Sequence, residues 1–473
     1  MLRSFTSLSL VLLLVSPVRA ADWPTHRANA ERTGSLDGVA GPKAPQVLWV
    51  HKSQEHFVAS PVLADGRLYI AGLGAFNTAA FRAFTPDPAA VKRELWSKST
   101  PYLKLPTVSS PAIADGKLVF GDGMHQTEGA VLHCLRSDTG LPLWQLPVAG
   151  ALVHLEGAPA ITGGKVYTGA GGGGVLCVDM NQVTLDGKVQ DLKTVQAALD
   201  AHWKVLVEKY EKEKKEDPDF AIPPSEDALP KPRPKLLWQK GANNEWHVDA
   251  PISVVGERVL AASAFLDEEK VGKRALLCIK AGDGSTEWSV PLKYNPWAGA
   301  TVIGDTALIG SSSIRFDPKL IPVGKGEIVA VALDSGAVKW REQIPGGIVS
   351  SVAAASAEKL AVFAATDGKL RALSLADGSA KWTYDAGAPF FAAPAVVAGV
   401  AYAADLKGVV HAVRLSDGQA AWKLDLPADA SVRSPGMVYG SPIVDGGRIY
   451  LATCNLEGSG VRQPTVVVCL GDK

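Results

Sequence analysis

The side chains best suited to chemistry recur just upstream of short apolar segments that read as β-strands. They combine imidazoles, carboxylates and aromatic rings, and they are His56, Phe57, His154, Glu156, Trp246, His247, Asp249, Trp297, Phe390, Phe391 and Tyr439. Such aromatic and imidazole groups offer flat apolar faces with polar tips, which suit a peptide, a sugar or an aromatic ligand. The set predicts a ligand-binding mouth, with packing between neighbouring loops as the alternative interpretation.

The spacing of the histidines argues against a metal centre. Zinc sites usually contain closely paired Cys and His ligands, whereas the histidines at 56, 154 and 247 are dispersed without such a pair. The sequence has no Gly-x-Ser-x-Gly motif, and its glycine-rich run 170–174 precedes a strand, so it is not a phosphate loop. We therefore predict no metal and assign no catalytic residue.

The cysteines indicate a packing role. Cys134 and Cys278 lie six residues before a turn glycine, where other repeats have alanine, and Cys177 and Cys469 fill the same position. A position that alternates Cys with Ala is typical of a small buried site, so these thiols are expected to be free. One disulfide stays open as an alternative, between Cys454 and Cys469 on adjacent strands of the last repeat.

A unit ending in tryptophan repeats along the chain, and the strands of this unit must position the residues described above. Five units end in Gly-x-x-x-Trp, at Trp144, Trp288, Trp340, Trp382 and Trp422, and looser versions end at Trp49, Trp96 and Trp238. Each unit contains four short apolar strands separated by turns, which is the pattern of a propeller blade. The tryptophan can fill the space between adjacent blades. The sequence predicts an all-β, eight-bladed propeller.

Two irregularities refine this prediction. The last unit, 441–470, lacks a Trp strand, whereas residues 46–49 form a Trp strand without a blade, so their pairing would close the ring. The tract 181–235 interrupts blade three with apolar residues at helical spacing after Asp191, followed by a proline-rich linker. We expect a helix that caps the side or lower face of the propeller, with partner docking as the alternative.

The ends and the charge of the chain suggest its location. Residues 1–20 have the pattern of a signal peptide cleaved after Ala20, residues 21–45 form an N-terminal extension, and 46–473 form the propeller. No later segment has the roughly 20 apolar residues of a membrane span. Lys plus Arg and Asp plus Glu are both 48, which gives no reason to expect nucleic acid. We predict an exported monomer, periplasmic or extracellular.

The unit Ala330–Gly336 followed by Trp340 resembles the repeat of pyrroloquinoline-quinone (PQQ) propellers. That family includes quinoprotein alcohol and glucose dehydrogenases and non-catalytic relatives of the BamB type, and the opening Asp22–Arg27 resembles exported bacterial proteins of the second kind. The adjacent cysteines of many alcohol dehydrogenases are absent, as is Cys-x-x-Cys-His. A calcium site that holds the quinone would need converging carboxylates and amides; Glu156, Asp249 and Asn295 lie near blade starts, but we do not assign them to that pattern.

The sequence therefore predicts a non-catalytic scaffold of the cell envelope, with no cofactor, that binds an unidentified protein, peptide or small molecule. Replacing Trp246 and Phe390 by Ala is expected to weaken binding without unfolding the domain. The alternative, implied by the resemblance, is a PQQ-dependent oxidoreductase of alcohols or sugars, with PQQ and calcium in the channel and Asp249 as base.

Overall fold

The computed structural model describes residues 22–74, 78–125, 127–456 and 461–472. The predicted signal peptide lies outside these ranges. None of the helices in the described ranges is long and apolar enough to cross a membrane.

Eight antiparallel sheets of four principal strands follow one another along the chain. Before them come β1 (Ser35–Leu36) and β2 (Gln46–Ser53). Blade 1 contains β3 (Val62–Ala64), β4 (Arg67–Leu73), β5 (Ala79–Phe84) and β6 (Glu94–Lys98); blade 2 contains β7 (Ala112–Ala114), β8 (Lys117–Gly121), β9 (Ala130–Arg136) and β10 (Pro142–Val148). Blade 3 contains β11 (Ala160–Thr162), β12 (Lys165–Gly169), β13 (Val175–Leu185), β14 (Lys188–Asp191) and β15 (Arg233–Lys240); blade 4 contains β16 (Ser253–Val255), β17 (Arg258–Leu266), β18 (Val271–Lys280) and β19 (Thr286–Pro291).

The remaining blades repeat this order. Blade 5 contains β20 (Ala300–Ile303), β21 (Thr306–Ser312), β22 (Gly326–Ala332) and β23 (Val338–Ile344); blade 6 contains β24 (Ala353–Ala355), β25 (Leu360–Ala364), β26 (Lys369–Ser374) and β27 (Ala380–Asp385). Blade 7 contains β28 (Ala395–Val397), β29 (Val400–Ala404), β30 (Val409–Arg414) and β31 (Ala420–Asp425); blade 8 contains β32 (Ile443–Asp445), β33 (Arg448–Ala452) and β34 (Thr465–Gly471). Its fourth strand is β2, which pairs with β34, so the predicted eight-bladed propeller and its closure are confirmed.

The tryptophans of the repeat join neighbouring blades. The indole Nε1 of each one donates to a carbonyl of the next blade or of the chain beside it, and the acceptors of Trp49, Trp96, Trp144, Trp238, Trp288, Trp340, Trp382 and Trp422 are Pro86, Ser137, Met180, Ala281, Leu333, Leu375, Leu415 and Pro42. For five of these tryptophans, the turn glycine of the next blade lies against the same ring. At Gly378, with φ 75°, an added Cβ would come within 2.8 Å of the ring of Trp340. The motif thus serves both backbone geometry and contact between blades.

Four of the five cysteines lie where the repeat predicts small residues. The residue opposite each repeat tryptophan is Ala or Cys, and all eight are fully buried: Ala83, Cys134, Cys177, Cys278, Ala330, Ala372, Ala412 and Cys469. All five cysteines are free. The disulfide considered between Cys454 and Cys469 is not formed, because the strand register places Tyr450, not Cys454, opposite Cys469.

The insertion in blade three forms helix α1, Leu192–Glu216. Asp191 is its N-cap, since its side chain accepts a hydrogen bond from the Lys193 amide. Leu192, Val195 and Leu199 are buried in a cluster shared by blades 2 and 3, whereas the last two turns are exposed. The helix therefore packs on the outer side of the propeller by its first half.

The segment 22–36 runs along the inner edges of the blades. Its backbone carbonyls accept hydrogen bonds from inner-strand residues of blades 1, 2, 4, 5, 6 and 7, namely Leu63, Ile113, Val254, Val302, Ala354 and Val396. Arg32 donates to Ala158 and Pro159 before blade 3, and the Trp23 indole donates to Val444 of blade 8. One short segment therefore contacts all eight blades.

Candidate functional site

A cavity of about 700 Å³ lies on the propeller axis, among the loops that lead into the first strand of each blade. His26, from the N-terminal segment, is among the residues that line it. Loops between second and third strands add Met124, His125, Glu268 and Phe316, and the end of β17 adds Leu266. The cavity therefore contains residues from many blades, positioned by the rigid inner strands.

The eleven residues predicted for this mouth fall into three groups. Glu156, Asp249, Trp297, Phe391 and Tyr439 line the cavity. His154 and His247 lie beside it, fully buried and within ion-pair distance of Asp249. His56 is not among the lining residues; its Nδ1 accepts a hydrogen bond from the backbone amide of Asn455 at 3.0 Å.

Phe57, Trp246 and Phe390 form the third group, and they pack inside the propeller. They are at most 4% exposed and belong to the apolar cores between blades. The Trp246 ring also lies against Gly241, where an added Cβ would come within 2.1 Å of it. We therefore no longer expect Trp246→Ala and Phe390→Ala to leave the stability of the fold unchanged, because each substitution would create a cavity in an apolar core.

One half of the cavity is polar, and three imidazoles cluster at its wall, with His125 lining the cavity and the other two buried behind it. His125, His154 and His247 have ring centroids 5.2 to 6.0 Å apart. One nitrogen from each ring lies within 4.8 Å of the others. Asp249 contacts two of the rings, with its carboxylate 3.0 Å from His247 Nε2 and 3.4 Å from His154 Nδ1.

The two carboxylates of this half differ in their electrostatics. Burial, followed by the charge of Asp249, raises the pKa of Glu156 to about 8, although the carboxylate accepts a hydrogen bond from the His125 amide at 2.8 Å. Burial also acts to raise the pKa of Asp249, but the charges of His154 and His247 outweigh it and hold this pKa below its usual value. At neutral pH, Asp249 is the anion of the pair.

The other half of the cavity is aromatic. Phe391 lies 5.1 Å from Tyr439 and 5.5 Å from Phe316, in edge-on contacts, as measured between ring centroids. Trp297 completes this wall, and among the described atoms its buried Nε1 has no hydrogen-bond partner. This half offers apolar faces and one unused donor to a ligand.

The sequence analysis did not identify several residues of the cavity. His125, Arg315 and Phe316 lie in loops between second and third strands, whereas the search covered only the residues upstream of first strands. A usable signal exists, because second-to-third-strand loops open at the same end of a blade as the loops into its first strand. His125 follows β8 by four residues and could have been found on that basis.

The quinone and calcium implied by the resemblance do not fit these residues. PQQ is a tricarboxylate, and the described lining has three carboxylates, Asp249, Glu268 and Asp317, beside the protonated Glu156, against one guanidinium, Arg315. Calcium prefers six to eight oxygen ligands, whereas this centre is rich in imidazole nitrogen. The amide of Asn295 is already used, since its Oδ1 accepts from Phe265 N and Arg274 Nε.

Comparison with known proteins agrees with the architecture. A family profile described as outer membrane protein assembly factor BamB matches residues 42–204 and 273–461. None of the curated proteins matches the chain.

Solved structures share the fold at low identity. BamB from Moraxella catarrhalis is 13% identical, with a TM-score of 0.58, over 91% of this chain and 98% of its own. A europium-containing methanol dehydrogenase is 12% identical, with a TM-score of 0.63, over 96% and 98%. The quinohemoprotein alcohol dehydrogenase of Comamonas testosteroni is 13% identical, with a TM-score of 0.59, over 96% and 81%. At these identities the likeness extends to the fold alone.

Proposed function

Because the chain belongs to the outer membrane protein assembly factor BamB family, we propose that it is a binding propeller of the cell envelope that holds a partner at its axial cavity. The observation that carries this proposal is the division of the cavity into an aromatic half and an acidic, imidazole-rich half. The proposal also includes export through the predicted signal peptide and a non-catalytic role. Detection of the uncleaved chain in the cytoplasm after fractionation would contradict the export.

The shape and chemistry of the cavity favour a protruding group of a protein or peptide. Trp297, Phe316 and Phe391 offer apolar faces. The lining has more carboxyl groups than arginines even with Glu156 protonated, which favours a cationic or hydrogen-bond-donating end. The cavity volume of about 700 Å³ exceeds that of a single side chain and lies within the usual range of ligand pockets. An aromatic side chain next to a basic one, in an extended segment, meets both requirements.

Site-specific photo-crosslinking tests this role. A photoreactive phenylalanine analogue at position 316 is expected to trap a defined partner in intact cells, because Phe316 is 43% exposed at the mouth. The matched control is position 220, an aromatic residue that is 81% exposed in the linker after α1. The adduct at 316 should be lost when Trp297 is replaced by Ala. Equal amounts of adduct at both positions, or an adduct at 316 that persists in Trp297→Ala, would show that the cavity is not part of the binding site.

The same purified protein can be tested for the quinoprotein alternative. Titration with PQQ and calcium, followed by a dye-linked assay with alcohols and sugars, is expected to give neither saturable binding nor turnover. Saturable binding with turnover would show that the protein is a PQQ-dependent oxidoreductase, and Asp249 would then be the first residue to test as a catalytic base.

A further inference from the structure

Three histidines far apart in the sequence meet at the polar half of the cavity. His125 comes from the loop between β8 and β9 of blade 2, His154 from the connection between blades 2 and 3, and His247 from the connection between blades 3 and 4. Their closest nitrogen atoms all lie within 4.8 Å of one another. Because three separate backbone segments converge here, the cluster is not a by-product of local sequence.

The two inner imidazoles lack the hydrogen bonds that buried imidazoles normally have. His154 and His247 are fully buried, and in the described part of the chain none of their four ring nitrogens makes a hydrogen bond. The carboxylates of Asp249 and Glu156 lie 3.0 to 3.4 Å from these rings, and Asp249 contacts both of them. Unpaired buried polar groups are costly, so this arrangement calls for a further partner.

Two other buried histidines of the propeller, His133 and His411, have hydrogen-bond partners for both ring nitrogens. His133 contacts Asp122 at 2.7 Å through Nε2 and the hydroxyl of Tyr102 at 3.4 Å through Nδ1. His411 repeats the arrangement in blade 7, at 3.1 Å to Asp405 and 3.0 Å to Tyr384. Both nitrogens of each ring therefore have a partner of their own, whereas His154 and His247 share the carboxylate of Asp249, which none of their nitrogens meets in hydrogen-bonding alignment.

We propose that His125, His154 and His247 bind one divalent transition-metal ion, with Zn²⁺ as the best match and Asp249 as the adjacent carboxylate. Neutral imidazole suits zinc, copper and nickel, whereas calcium and magnesium prefer oxygen. Zn–N bonds of about 2.0–2.1 Å place tetrahedral ligand atoms roughly 3.3 Å apart. The three nitrogens now lie within 4.8 Å of one another, so rotations of the rings would bring them to the distance that zinc needs. This site goes beyond the binding role and does not depend on it.

The position of the site gives the ion access to the cavity. His125 lines the cavity and its side chain is 30% exposed, whereas the other two imidazoles are buried behind it. Glu269 contacts His125 Nε2 at 3.1 Å. An ion held here would keep a coordination position facing the cavity, where it could accept an anionic or neutral oxygen of a ligand.

Metal binding can be measured on the full chain, purified without a histidine tag and stripped with a chelator. Calorimetric titration with Zn²⁺ is expected to give one equivalent per chain and a higher melting temperature. Co²⁺ should bind at the same site with an intense visible band typical of tetrahedral nitrogen ligation. His125→Gln should weaken Zn²⁺ binding by at least about tenfold, while His202→Gln, which removes an exposed histidine on α1, should leave it unchanged.

The outcomes distinguish this site from others. Because His125 is partly exposed, its substitution should preserve the fold, which circular dichroism can verify. Asp249→Asn, which removes the adjacent carboxylate, gives a second variant for the same titration. Absence of stoichiometric Zn²⁺ uptake by the unmodified chain would overturn the proposal. Equal Zn²⁺ affinity in His125→Gln and His202→Gln would do the same, and so would a preference for Ca²⁺ over Zn²⁺. None of these results bears on the crosslinking experiment at position 316.

Discussion

At the residue scale, the position opposite each repeat tryptophan tolerates only small side chains. Ala330 lies opposite Trp340 in blade 5 and is fully buried, and the equivalent residue of blade 4 is Cys278. The available volume therefore accommodates a thiol in place of a methyl group in at least some blades. Because interiors are close-packed, larger additions must displace the tryptophan or the strand.

This limit gives a graded prediction. Ala330→Cys should change the free energy of unfolding by less than about 1.5 kcal/mol, whereas Ala330→Leu should lower it by roughly 1–3 kcal/mol through overpacking. Denaturant titration of both variants measures the difference. Equal destabilisation by Cys and Leu would show that the site is not limited by volume.

Asp445 gives a pH-dependent prediction at the same scale. Burial, together with the charge of Asp22, raises its pKa to about 6, so the folded state holds a proton that the unfolded state releases near pH 4. Its contribution to stability is therefore lost as pH rises from about 4 to 6. Asp445→Asn should raise the melting temperature more at neutral pH than near pH 4.

Asp377 serves as the opposite control for that measurement. Hydrogen bonds from the backbone and side chain of Ser379 lower its pKa to about 2, and the group is exposed. Its stabilising effect is present above the unfolded pKa and is lost as pH falls. Asp377→Asn should therefore lower the melting temperature at neutral pH, with less effect at pH 2. Identical pH profiles for the two variants would contradict both assignments.

At the element scale, the N-terminal segment contains two buried arginines in contrasting environments. Arg32 donates to backbone carbonyls of His26, Ala158, Pro159 and Ile252 and to the hydroxyl of Thr25. Arg27 is also buried, but within the described residues its guanidinium nitrogens have no hydrogen-bond partner. Burial lowers the pKa of each to about 9.

These environments predict opposite effects of the same substitution. Arg32→Met should lower the free energy of unfolding by roughly 3–5 kcal/mol, because it leaves buried carbonyls unpaired. Arg27→Met should be neutral or stabilising, since it removes an uncompensated buried charge. Chemical denaturation of both variants measures this, and equal losses of stability would refute the contrast.

The elements were more predictable from the sequence than the site. The recurring tryptophans reflect a contact that every blade repeats, so the number of blades and the closure of the ring could be predicted. The capped helix after Asp191 could be predicted as well, from apolar residues at helical spacing. Phe390 and Phe391 show the limit. They are adjacent in the same loop, yet one packs in a core between blades and the other lines the cavity. Loops lack the strict alternation that decides such orientations in strands.

The histidine cluster was beyond sequence reasoning for a different reason. His154 and His247 are 93 residues apart and His125 lies in another type of loop, so their proximity follows from the curvature of the ring. Motif spacing detects ligands that share one element, such as paired residues on a helix or a hairpin. The prediction of no metal rested on that spacing, and metal titration is its direct test.

At the scale of the whole molecule, the N-terminal segment imposes an order on folding. Trp23 leaves the ribosome before any blade, but its hydrogen-bond acceptor at Val444 is 421 residues further along the chain. Its backbone partners in the blades between also appear later, one blade at a time. The segment can therefore complete its contacts only when the eighth blade exists, and such distant contacts slow folding. The docking of this segment is therefore the last step in closing the ring. A chain that lacks a blade cannot complete these contacts, and its unpaired strand edges stay open to aggregation.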